Sequence, residues 1–294
     1  MKFLKKHGIQ IILLSGIGIL IFRLFFTVNR PYQVQNPIIV ISREQGSGSR
    51  TAFEELIGIN TNRQNVMTLN AVIHAGNGCI TTAIINNPAT IGYVSLSTLY
   101  AHQDYLKGIA INGIFPTAEN ILSGKYLLVR PFSIIYLPEN LSGIEQAFIA
   151  FATSNTGLSV LETAGVVVDH TNAVAFNATA FGHLSGAVTF GGSTSTEATA
   201  MALINEFTTL FPTVDITYMA VGSAAGIAGV IDGFYSLGFS SRAITALEKA
   251  TGLDSFNYAV DGLVVVVNPQ NSIDSLTIRQ LQAIFRGDII SWEH

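Results

Sequence analysis

Three short stretches carry the residues best suited to chemistry. Each reads as a strand, then a loop of Gly, Ser and Thr, then a helix: "VISREQGSGSRTAFEEL", "VTFGGSTSTEATAMALI" and "MAVGSAAGIAGVIDG". A helix N-terminus has unpaired N–H groups and a partial positive charge. Glycine lets the backbone come close to a ligand, and hydroxyls add donors, so the combination suits a tetrahedral oxyanion. Any one such loop also reads as an ordinary N-cap. Arg43, in the first loop, is the best charged partner, because a planar guanidinium can give two parallel bonds to an oxyanion. It could equally pair with its neighbour Glu44 at the surface. Arg50 starts a helix and can face solvent. Arg242, in "GFSSR", follows another strand end and either reaches the same cleft or caps a surface.

Several other chemistries are excluded. No Gly-Lys-Ser/Thr follows the glycines, and no loop fits G-x-G-x-x-G, so neither a Walker site nor a dinucleotide fold is inferred. The six histidines have no metal-ligand spacing, and no nucleophile–base pair is evident. Cys79 is the one cysteine, which rules out an internal disulfide. A net charge of −4 gives no general basic field for nucleic acid, so an anion must be held locally. Nearly half of the 294 residues are apolar, enough for two lobes or one large domain.

The elements that would position these loops alternate. Strand-like runs at 37–42, 90–96, 165–169, 187–192, 214–221, 237–241 and 258–268 are separated by helix-like runs at 50–58, 81–88, 143–153, 156–164, 195–211, 224–232 and 277–286. "YLLVRPFSIIYL" (126–137) predicts two strands around Arg130-Pro131, and 171–186 reads as a linker. This alternation predicts an α/β fold with largely parallel sheets. Before it comes a basic start with Lys2, Lys5 and Lys6, then an apolar run to Val28. That reads as an uncleaved signal-anchor over residues 1–30, with a cleaved signal as the alternative, and it places the remainder outside the membrane.

The motifs together resemble the phosphate-binding protein of phosphate ABC transporters. The resemblance runs through "SREQGSGSRTAFEE", "IGYVSL", "NGIFPTAENILSGKYLLVRPF", "FGGSTST", "VGSAAGIAGVIDG", "LGFSSR" and "VDGLVVVVNPQNSIDSLTIRQLQAIFRGDIISWEH". It implies a two-lobed periplasmic-binding-protein-like clamshell of type II, a binding protein and not an enzyme, with no cofactor and no metal. The order departs from the family: the segments of its second half come first. The chain therefore reads as a circular permutation, with 171–186 joining the old termini. A piece of a tandem array or a misplaced gene boundary would give the same order. Lobe 1 is expected at 126–257, and lobe 2 is split between 31–125 and 258–294.

Carried over by resemblance, the phosphate ligands are Arg43, Ser47, Gly48, Ser49, Ser193, Thr194, Ser195, Ser223, Ser241 and Arg242. Ser49 stands for a usual threonine, and Ala224 for a frequent second serine. Some family members carry an aspartate where this chain has Arg242, which accepts the proton of hydrogen phosphate. Without it, Glu44, a carbonyl or a serine oxygen must serve. Tyr93 and Asp261 read as packing or hinge residues. The implied function is extracytoplasmic capture of inorganic phosphate by a monomer for delivery to ABC permease subunits. The alternative is an anchored sensor or scavenging module without transport.

Overall fold

The computed structural model describes residues 36–61 and 64–292, together with two short strands at Lys5–Lys6 and Ile9–Gln10. The anchor expected over residues 1–30 lies outside the described residues apart from those two strands. Among the described residues, no helix is long and apolar enough to cross a membrane.

The elements needed below are β1 (Ile39–Arg43), α1 (Gly48–Leu56), β2 (Val72–His74), α2 (Gly76–Asn86), β3 (Thr90–Ser95) and α3 (Leu96–Ala101). Then come β4 (Val129–Tyr136), α4 (Gly143–Ala152), α5 (Asn155–Thr163), β5 (Gly186–Gly192) and α6 (Glu197–Leu210). The chain continues with β6 (Val214–Ala220), α7 (Ser223–Ile231), β7 (Leu237–Ser240), β8 (Asp254–Val267) and α8 (Ile278–Arg286).

Eight of these strands form a continuous sheet in the order β6-β5-β7-β4-β8-β3-β1-β2. Its two wings are parallel: β6, β5 and β7 at one end, β3, β1 and β2 at the other. The centre is antiparallel, with β4 paired to β7 and β8, and β8 paired to β3. The expected parallel architecture therefore holds only in the wings. β4 and β8 cross between lobes in opposite directions, and their neighbours inherit that antiparallel sense.

Two large cores lie on either side of this crossing. One draws on Val40 to Leu128 and Leu263 to Phe285, with Val167. The other draws on Phe132 to Phe239 with Tyr258 and Ala259. The chain passes between them inside β4 and inside β8. Burial of these apolar faces is the main force holding each lobe together.

Residues 126–137 hold one strand, not the expected two. Pro131 has no N–H to give the ladder, and it stands opposite Val260. The backbone of Val260 instead exchanges two hydrogen bonds with Val167, at 3.0 and 2.7 Å. The strand thus survives its proline, with a register shift between Phe132 and Ser133. The same exchange is the isolated bridge left where 165–169 was expected to be a strand. β3 takes that edge of β8 from Leu263 onward. Segment 171–186 holds a 3₁₀ turn, Ala178–Phe181, and packs Phe176, Phe181 and Leu184 against the second core. Phe176 lies 5.3 Å from Phe151 and 5.8 Å from Phe181, centroid to centroid.

Candidate oxyanion site

The three loops meet at the seam between the lobes. Ser47 caps α1, its hydroxyl accepting from the Arg50 N–H at 3.4 Å. α7 opens at Gly222, whose φ of +94° suits glycine. The Ala224 N–H then donates to the Gly46 carbonyl of the facing lobe at 3.2 Å. Gly48 fits because it has no side chain. A Cβ there would lie 2.3 Å from Ser223 Oγ and 2.6 Å from Ser241 Oγ.

Hydroxyls then bridge and line the seam. Ser49 Oγ lies 2.7 Å from Ser195 Oγ in the opposite lobe. Ser193 Oγ donates to Ser241 Oγ at 2.9 Å, and Ser223 Oγ accepts from the Ser241 N–H at 3.2 Å. Ser47, Ser49, Ser193, Ser195, Ser223 and Ser241 are all buried. Buried hydroxyls keep partners because an unpaired one costs about 1–3 kcal/mol.

Arg43 is no surface arginine; its side chain is 1% exposed. Nε and Nη2 fork the Glu44 carboxylate at 2.8 and 2.7 Å, and Nη1 donates to Asn77 Oδ1 at 2.7 Å. Nη2 also crosses the seam to Thr194 Oγ1 at 2.9 Å. Glu44 accepts the Gly76 N–H at 3.3 Å as well. Partial burial pushes the Glu44 carboxyl up, but the bonds and charge of Arg43 outweigh it and hold the group below its usual value. Tyr93 lies beneath, bonded to Ser42 Oγ at 2.8 Å and stacked on Phe53 at 3.9 Å. Burial pushes its phenol up to about 12.

Nine of the ten sequence-derived ligands thus gather at the seam. Arg242 stands apart. Its guanidinium forks Glu248 at 2.9 and 2.6 Å and bonds the Ala243 carbonyl at 2.8 Å. Glu248 also accepts the Thr245 N–H in a capping box, so the short helix Ala246–Lys249 holds this arginine away from the loops. Arg242 therefore caps local structure, and the bonds described for its guanidinium go to Glu248 and Ala243 and not to the three loops.

Two residues at the seam escaped the sequence reading. Asn77, at the start of α2, bonds Arg43, Thr98 and Ser195. Arg130, on β4, donates to Ser49 Oγ at 2.6 Å. The "RPF" motif was the available signal for Arg130; nothing in "HAGNGC" singled out Asn77. Burial pushes the Asp261 carboxyl up, against the opposing pull of Arg130 and the Leu96 N–H.

Two lobes joined by crossing strands, with loop and helix ends meeting between them, define a two-lobed fold of the periplasmic-binding-protein type. A family profile described as a PBP superfamily domain matches residues 29–156 and 177–294, and the chain belongs to that superfamily. End to end it is 31% identical to "Phosphate-binding protein PstS 2" of Streptococcus pneumoniae serotype 4, over 100% of this chain and 99% of the relative. The crystal structure of a phosphate ABC transporter, phosphate-binding protein from Streptococcus pneumoniae TIGR4 superimposes with a TM-score of 0.70 at 32% identity. It covers 87% of this chain and 98% of that one. A match to the phosphate-binding protein PstS of Bacillus subtilis, 31% identical, takes in only 37% of each chain.

Proposed function

We propose that this chain captures inorganic phosphate between its two lobes, on the outer face of a membrane, and delivers it to the permease of an ABC transporter. The observation that carries this reading is the set of side-chain bonds across the seam, Arg43 to Thr194 and Ser49 to Ser195. These are the bonds a tetrahedral oxyanion would replace with its own oxygens, keeping every donor satisfied. The site is rich in neutral donors and holds one guanidinium already balanced by Glu44. It therefore binds by directed hydrogen bonds more than by net charge. Lobe opening and closure about β4 and β8 would admit and release the ligand. The names of the full-length relatives support the same ligand.

Of the three acceptors the sequence offers, we assign to Glu44 the proton that hydrogen phosphate keeps and sulfate lacks. It is ionised and 30% exposed, beside the arginine that would hold the ligand. Calorimetric titration of the full chain with phosphate and with sulfate tests the ligand. Absence of heat with phosphate at millimolar concentration contradicts the proposal. Phosphate uptake in a strain lacking the gene separates transport from sensing.

A further inference from the structure

Two hydrogen-bond relays, each led by a buried guanidinium, end on the neighbouring hydroxyls of Ser49 and Ser195. Arg130 and Asp261 face each other where β4 and β8 cross, with side chains 1% and 0% exposed. Asp261 Oδ2 accepts from Arg130 Nε at 2.8 Å and lies 2.7 Å from Nη2, while Oδ1 accepts the Leu96 N–H at 3.0 Å. Arg130 also lies 5.2 Å from the Phe132 ring centre. Held on these sides, it extends Nη1 to Ser49 Oγ at 2.6 Å. A guanidinium only donates. Ser49 therefore accepts there with one of its two lone pairs, and it shares a hydrogen bond of 2.7 Å with Ser195 Oγ in which either hydroxyl can be the donor.

The second relay starts at Arg43. Its Nη1 donates to Asn77 Oδ1, which turns Asn77 Nδ2 towards Ser195 Oγ at 3.3 Å. Ser195 Oγ thus accepts from Asn77, so a guanidinium-led relay takes a lone pair of each of the two hydroxyls. With one lone pair of each hydroxyl taken from behind, both protons are free to turn towards an oxyanion that enters at this corner.

We propose that Arg130 is a positioning residue of the oxyanion site: locked by Asp261, it holds Ser49 Oγ from behind and turns its proton towards the ligand, so that this corner favours an unprotonated ligand oxygen. The inference rests on the oxyanion reading above. It adds a specificity device that places the ligand's remaining proton elsewhere in the site.

The test is titration of the full chain with inorganic phosphate between pH 6 and 8.5, for wild type, Arg130→Lys, Ser49→Ala and the double variant. Arg130→Lys keeps a cation beside Asp261 but cannot serve Asp261 and Ser49 together. Each single variant should bind about tenfold or more weakly, as for loss of one hydrogen bond to a charged group. The double variant should bind no more than about twofold more weakly than the weaker single, because both changes cut one relay. Wild-type affinity should fall as acid adds a second proton to phosphate. In Arg130→Lys that fall should shrink, because Ser49 regains the freedom to accept a proton. Ser49→Thr leaves Arg130 untouched and should keep the wild-type pH profile that Ser49→Ala loses. Unchanged binding in Arg130→Lys, losses that multiply in the double variant, or a Ser49→Thr profile like that of Ser49→Ala overturns the inference alone. A wild type silent to phosphate overturns it together with the ligand reading.

Discussion

Arg43 is buried, and each of its bonds is made to a group at the seam. Replacing it with Ala would remove the guanidinium and leave Glu44 and Asn77 without their main partner. Truncating a buried, hydrogen-bonded charge costs about 2–5 kcal/mol of binding, so phosphate affinity measured by calorimetry should fall at least about thirtyfold. Glu44→Gln should act differently. It keeps the shape but removes the charge that would accept the phosphate proton. The ratio of phosphate to sulfate affinity should drop while sulfate binding holds or improves. Arg43 and the serines could be found in the sequence because an arginine beside a Gly/Ser loop is a compact local pattern. Asn77 could not, since its role depends on α2 starting beside β1, a tertiary fact. Arg242 stands apart from the other expected ligands for the converse reason. It follows a strand end like the true ligands, but the capping box at Thr245 presents Glu248 to it.

That clasp makes an acid prediction at the scale of elements. The Arg242 guanidinium pulls Glu248 down to about 2 from an ordinary 4.5. A lowered folded-state value means stability present above pH 4.5 and lost as pH falls towards 2. The melting temperature of Glu248→Gln should therefore lie below wild type at pH 7, and the gap should close near pH 2. A second prediction concerns α1. Gly48→Ala should not harm the helix, since alanine is the better helix former. Its Cβ would instead meet Ser223 and Ser241 and hold the lobes apart. Phosphate affinity should fall about tenfold or more by calorimetry, with melting little changed. Helix and strand positions were legible from apolar runs and from the Gly/Ser/Thr loops between them. Strand direction was not. Whether β4 runs with or against its neighbours depends on the lobe it is crossing to, and no local pattern records that. Pro131 looked like a strand break because the bonds between Val260 and Val167 cannot be seen in the chain order.

At the scale of the whole molecule, the two large cores and the crossing strands support the two-lobed reading, with the ligand loops brought together from both lobes. The order of segments is collinear with the streptococcal relative from end to end, so it is shared with that protein and not peculiar to this chain. The Bacillus relative aligns over only 37% of each chain. A permuted order leaves the seam intact, because the loops are placed by sheet pairing and not by where the chain begins. The measurement that bears most directly on this account is titration of the full chain with phosphate and then sulfate at pH 7.5. The account predicts saturable one-to-one heat with phosphate, markedly weaker binding of sulfate, and loss of the phosphate signal in Arg43→Ala. No phosphate heat in the folded wild type, or equal binding in Arg43→Ala, would contradict it.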